Sequence, residues 1–145
     1  MSWSLIAAAL RTRATSDTGS GGLYETAGAA KVTGVYFIEA PQQTTQYAAN
    51  FPYLLIVPVG DTEIKAFSTT SRFLEYGIQF SVFADKKTDI TTLNTITDRI
   101  QARFDRWAPT ITGWTANQLI REGGNLFDEG DSWHQAEDYR LALGK

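Results

Sequence analysis

Between residues 75 and 107 the hydrophobic period changes from two residues to about 3.6, so one stretch of chain specifies both a strand and the helix that covers it. In Glu75-Tyr76-Gly77-Ile78-Gln79-Phe80-Ser81-Val82-Phe83-Ala84, the residues Tyr76, Ile78, Phe80 and Val82 share one face. Gly77, Gln79, Ser81 and Phe83 share the other, the pattern of a strand with one covered side. After Asp85-Lys86-Lys87, Thr88 or Asp89 is placed to cap a helix with apolar residues Leu93, Ile96, Ile100, Phe104 and Trp107. At roughly 100° per residue these five fall within a sector of about 80°, narrow enough to bury against a sheet. Leu93, Ile96, Ile100 and Phe104 are the expected core residues. Arg103 and Arg106 suit the negative end of this helix, and Pro109 is expected to stop it.

The chain of 145 residues, 43% hydrophobic and 12% aromatic, is large enough for one domain with its own core. It has no cysteine, which excludes disulfides, thiolate metal sites and thiol nucleophiles. The apolar run Leu5 to Leu10 is too short to span a bilayer and follows no positive charge, so a soluble protein without membrane partners is expected. A net charge of -3 argues against wrapping a nucleic acid, which needs a concentrated basic surface.

Along the chain, Ser2 is placed to cap a first helix with Trp3, Ile6 and Leu10 on one face, packed beside the second. Thr15 to Gly22 is aperiodic and rich in Ser, Thr and Gly, and reads as a mobile loop. Val32 to Glu39 reads as a strand ended by Ala40-Pro41. A polar connection over about 41 to 50, with Gln42, Gln43, Thr44, Thr45, Gln46 and Tyr47, is longer than the usual median of about five and reads as mobile or functional. Tyr53 to Val57 reads as a strand buried on both faces if central, ended by Pro58, with a short strand over Glu63 to Phe67. Alternation over Trp114 to Arg121, loosened at Gly123-Gly124, and a last strand over Trp133 to Leu143 flank a turn at Asp128-Glu129-Gly130-Asp131. The order of elements predicts an α+β fold, a mostly antiparallel sheet of four to five strands with two helices packed on one face.

Motifs for chemistry are weak. Asp17-Thr18-Gly19-Ser20 matches the short signature of an aspartic-protease carboxylate, but polar residues precede it where an apolar strand is needed. The same glycines lack the Gly-Lys-Ser/Thr ending of a phosphate loop. His134 is the only histidine, which rules out a two-histidine zinc site, and no Gly-x-Ser-x-Gly elbow accompanies it. Asp128, Glu129 and Asp131 do not follow calcium-loop spacing. Trp114, Trp133 and Phe127 are candidates for an interface, where aromatic residues concentrate. No enzyme, cofactor or metal site is expected.

Taken together, Ala40-Pro41-Gln42, Phe51-Pro52-Tyr53-Leu54-Leu55-Ile56 and the strand from Tyr76 to Ala84 ahead of an amphipathic helix resemble the tail terminator (tail completion) proteins of long-tailed bacteriophages. A strand after Gly113, the acidic turn and Asp138-Tyr139-Arg140 in a closing strand continue the likeness. Thr15 to Lys31 departs from the family's pattern, being longer and richer in Gly and Ala. The resemblance implies a virion subunit, present in the host cytoplasm during assembly, that forms a ring, usually of six copies. Such a ring caps the tail tube protein, ends its polymerisation and joins the tail to the head connector or stopper protein, while DNA passes through its lumen. Gln42 to Tyr47 then become candidates for an interlayer loop. Asp128, Glu129 and Asp131 become candidates for a lumen or an interface, because Glu122 to Asp138 hold six carboxylates and no Lys or Arg. Other readings are a different phage neck component (head-side stopper or adaptor), a small ligand-binding α+β module with a pocket under its helices, and, last, an enzyme without a recognisable motif.

Overall fold

The computed structural model describes residues 3–16, 22–24, 31–38, 51–65, 72–87 and 90–145. The elements run α1 (Trp3–Thr15), β1 (Val35–Phe37), β2 (Tyr53–Lys65), β3 (Arg72–Asp85), α2 (Ile90–Phe104), β4 (Thr115–Ala116), β5 (Ile120–Asp128) and β6 (Ser132–Gly144). The six strands form one mixed sheet in the order β1-β2-β3-β6-β4, with β5 also paired to β6. β1 runs parallel to β2, and every other pairing between strands is antiparallel. The architecture is α+β, with more strands than the four to five expected, because Trp114 to Arg121, expected as one alternating stretch, divides into β4 and the start of β5, which runs on through Gly123-Gly124 to Asp128.

Alternation along β3 organises the core. Leu74, Tyr76, Ile78, Phe80, Val82 and Ala84 are buried, together with Leu54 and Ile56 of β2 and Tyr139, Leu141 and Leu143 of β6. From α2, Leu93, Ile96, Ile100 and Phe104 join the same cluster at 1% exposure or less, and from α1 come Ile6, Leu10 and Ala14. Phe80 is central, its ring centroid 4.5 Å from that of Phe104 and 5.1 Å from that of Tyr139. α2 packs over β3 and β6, and α1 lies toward β1. The helices are tied at their C-terminal ends, where Arg13 donates from Nε and Nη2 to the Arg103 carbonyl and Arg103 donates back from Nη1 to the Arg13 carbonyl, each at 3.2 Å. Each guanidinium thereby satisfies a carbonyl at the negative end of the partner helix.

Several elements end elsewhere than expected. Pro58 does not stop β2, which continues to Lys65 and absorbs the expected short strand at 63. The β1 pairing ends at Ile56, so the N–H that Pro58 lacks has no strand beside it to serve, and a register shift between Pro58 and Gly60 follows. β2 is also not buried on both faces. Only Leu54 and Ile56 of its first five residues are buried. α2 ends at Phe104, five residues before Pro109, because Arg106 takes a φ of 63° and donates to the Leu119 carbonyl at 2.7 Å. Trp107 therefore lies beyond the helix, packed partly against the core, and its carbonyl accepts from the Leu119 N–H at 2.8 Å. The strand expected over Val32 to Glu39 is confined to Val35–Phe37, since Ile38 has a φ of 70°. Thr15 closes α1 and is no part of a loop. The caps Ser2, Thr88 and Asp89, and the loops at 17–21 and 41–50, lie outside the described residues.

Replacing Ile100 with alanine is expected to lower unfolding free energy by about 2–5 kcal/mol, because its side chain is fully enclosed. The same change at Leu5, which is 48% exposed on the outer side of α1, should move it by no more than about 0.5 kcal/mol. Urea unfolding of the two variants checks the assignment of helix faces.

Candidate functional site

The β5–β6 hairpin carries the acidic turn. β5 pairs with β6 from Ile120↔Arg140 to Asp128↔Trp133, and Glu129 N–H donates to the Ser132 carbonyl at 3.0 Å across a turn in which Gly130 has a φ of 82°. A positive φ suits glycine, which has no Cβ to clash. The turn's carboxylates are not a bare negative cluster. Asp128 is held by Lys86 Nζ, which also lies 3.6 Å from the centroid of the Trp133 ring, and accepts from the Gly130 N–H at 3.0 Å. These bonds, with the Lys86 one the larger, hold the Asp128 carboxyl below its ordinary range. Glu129 accepts from His134 Nδ1 at 2.7 Å. Asp131 is exposed.

Further down the hairpin a carboxylate is buried. Glu137, 1% exposed, accepts from Arg121 Nε at 2.6 Å and Gln135 Nε2 at 3.1 Å. Opposite it stands Gly124, where an added Cβ would lie 2.8 Å from the carboxylate, so the missing side chain provides the room. A register shift between Arg121 and Gly123 turns the Arg121 N–H outward onto Asp105 at 3.1 Å. Beside this group Tyr139 is buried, with its hydroxyl unbonded among the described residues. Burial first, then the charges of Glu137 and Asp105, raises the Tyr139 phenol well above its ordinary value. The six-carboxylate stretch thus meets Lys86 and Arg121 from outside itself, which sequence order concealed.

On the sheet face away from the helices, aromatic rings form a row across five strands. Tyr36 of β1 meets Tyr53 of β2 edge-on at 5.8 Å, and Tyr53 stacks on Phe83 of β3 at 5.1 Å. Phe83 stacks on His134 of β6 at 4.3 Å, and His134 faces Phe127 of β5 at 5.4 Å. With its side chain only 14% exposed, the sole histidine is part of this row. Of the three candidate interface aromatics, Trp114 and Trp133 pack partly against the core, while Phe127 is 46% exposed at the end of the row. Next to the row lies a polar strip in which Gln79 donates to Asp138 at 3.0 Å and Ser81 to Gln79 at 3.2 Å.

Among the described residues no group of three metal-ligating side chains stands together, and no helix is long and apolar enough to cross a membrane. A groove of about 470 Å³ opens between Ala9 and Arg13 of α1 and Trp107 and Ile111. Gln42 to Tyr47 and Asp17 to Ser20 lie outside the described residues.

No protein-family model and no curated protein matches the chain. Among solved structures it is similar to a chain of the virion of a native gene transfer agent (GTA) particle, at 13% identity and a TM-score of 0.68. That likeness covers 99% of this chain and 100% of the other. A second solved chain is similar at 15% identity and a TM-score of 0.64, over 99% of this chain and 96% of the other. At these identities the likeness establishes a shared fold.

Two substitutions test the buried group. Arg121→Ala leaves the Glu137 carboxylate buried without its cation and should cost about 3 kcal/mol. Tyr139→Phe removes a hydroxyl that has no partner among the described residues, and should leave stability unchanged or raise it by about 1 kcal/mol. Because folding raises the Tyr139 pKa, its contribution is full below the unfolded value of about 10 and is lost as pH rises toward the folded value. Alkaline unfolding above about pH 10 should therefore be blunted in Tyr139→Phe, as followed by circular dichroism.

Proposed function

We propose that this chain is a structural virion protein of a phage-like particle, a tail terminator whose ring caps the tail tube and joins it to the head connector. The observation that carries the reading is the full-length fold shared with a chain of a gene transfer agent virion. The resemblance of residues 40 to 143 to tail terminators gives the finer role. The build suits it, since a ring subunit needs a rigid sheet and heterologous contacts that close on rotation. This protein is not an enzyme on this reading; its partners are its own copies, the tube protein and the connector, with DNA passing through.

Within that ring the β5–β6 turn is placed at the lumen, where repeated carboxylates keep passing DNA from adhering. Lys86 offsets part of that charge within each copy and His134 hydrogen-bonds to Glu129, which leaves Asp131 as the carboxylate most open to the channel. Gln42 to Tyr47 contact the adjoining layer.

Negative-stain imaging of the purified protein, alone and mixed with tail tubes, tests the role. Rings seated at tube ends are expected, and rings that bind connectors but never tubes would point to a head-side neck protein instead. Replacing Asp128, Glu129 and Asp131 together with lysine should leave rings intact and create salt-sensitive DNA binding. With three new phosphate contacts, affinity should fall roughly forty-fold between about 50 and 200 mM salt, the slope being about −0.9 per contact. Filter binding that shows no gain over the unmodified ring would remove the turn from the channel.

A further inference from the structure

Both lateral edges of the sheet carry backbone groups that no described strand takes up, and they lie at the same height. On β1, Gly34 and Ile38 bond to β2 through Leu54 N–H and the Ile56 carbonyl, so alternation turns the groups of Val35 and Phe37 outward. The isolated bridge between Tyr24 and Val32 stops three residues short of Val35. On β5, Glu129 bonds to Ser132 across the turn and Arg121 directs its N–H away from β6. The alternating pairs of an antiparallel ladder therefore turn the groups of Gly124, Leu126 and Asp128 outward. Following the register across, Val35 pairs with Leu54, Leu54 with Val82, Val82 with Gln135 and Gln135 with Leu126. One line perpendicular to the strands thus joins the two edges, each free of a further strand among the described residues.

Three further observations match the edges to each other. β1, β2 and β6 run one way and β3 and β5 the other, so β5 of one copy set beside β1 of the next makes an antiparallel pair. The aromatic row begins at Tyr36 on the β1 edge and ends at Phe127 on the β5 edge, so the junction brings those two rings together. Leu126 and Phe127, each 46% exposed, supply apolar surface on both sides of an edge strand, which in a lone monomer invites association.

We infer that successive copies join edge to edge, Gly124–Asp128 of β5 pairing antiparallel with Val35–Phe37 of β1 in the next copy. The sheet and its aromatic row then continue around the assembly as one belt. This inference rests on the ring reading proposed above and adds the surface through which the ring closes. β5 is long and β1 short, and the contact is heterologous, so each copy presents one donor edge and one receiving edge and no two-fold dimer satisfies both.

The absence of native cysteine makes the test direct. In the full-length double variant Tyr36→Cys/Phe127→Cys, oxidation should give a covalent ladder of multimers at least tenfold above that of either single variant. Leu126→Pro removes an N–H that faces away from β6, and should keep the monomer's circular dichroism while lowering the ring population at least tenfold. If rings form normally in the unmodified protein but the double variant does not cross-link and Leu126→Pro still assembles, edge pairing is wrong and the ring reading stands. Cross-linking of Phe127→Cys alone to dimers would show β5 meeting β5 and overturn the inference. Should the unmodified protein form no ring even with tail tubes present, the ring reading fails and the inference with it.

Discussion

The fold depends on one constraint, the two-residue alternation of β3 held between β2 and β6. Its even-numbered residues from Leu74 to Ala84 are apolar and buried, so that face has to be roofed, and the stripes of α1 and α2 provide the roof. Its odd-numbered residues include Gln79 and Ser81, which bond to each other, and Phe83, which the aromatic row covers. A slip of one residue would bring Gln79 and Ser81 under Phe104 and expose Phe80. The same alternation therefore fixes the core, frees the opposite face for an aromatic row and a polar strip, and sets which backbone groups the edge strands turn outward.

Much of this was legible because it is periodic. The face of β3, the stripe of α2 and the turn at Asp128-Glu129-Gly130-Asp131 follow from spacing and turn chemistry within short windows. Where single breaker residues were used as boundaries, tertiary context overrode them. Pro58 is tolerated because β2 loses its β1 neighbour there, and α2 ends at Phe104, well ahead of Pro109, because the Arg106 N–H turns to the Leu119 carbonyl. The partners of the turn were illegible for a different reason. Lys86 lies 42 positions from Asp128, and only the pairing of β3, β6 and β5 brings the two together. The aromatic row is one ring from each of five strands, and no local window contains it. Gly124 opposite Glu137 was within reach, since counting outward from the turn pairs them.

The buried Glu137 and the unbonded Tyr139 hydroxyl share the base of the hairpin with Asp105, just past the end of α2. This polar group adds little stability, since a desolvated ion pair recovers only part of what burial costs it. It does set geometry. Arg121 serves Glu137 through its side chain and Asp105 through its backbone, which orients β5 against both β6 and the end of α2. A hairpin that presents an edge to neighbours needs that orientation, because an apolar contact alone would allow it to slide.

The crossed guanidiniums of Arg13 and Arg103 have a consequence for biosynthesis. Their partners are 90 positions apart. At about 5–20 residues per second the first helix waits several seconds or more on the ribosome before the carbonyl that secures it exists. The β3–β6 ladder, whose strands are separated by α2 and the β5 hairpin, closes later still. Contacts this distant make for slow folding. During that interval the apolar stripe of α1 is uncovered in the nascent chain, so production of the protein is governed by how quickly its last strand arrives.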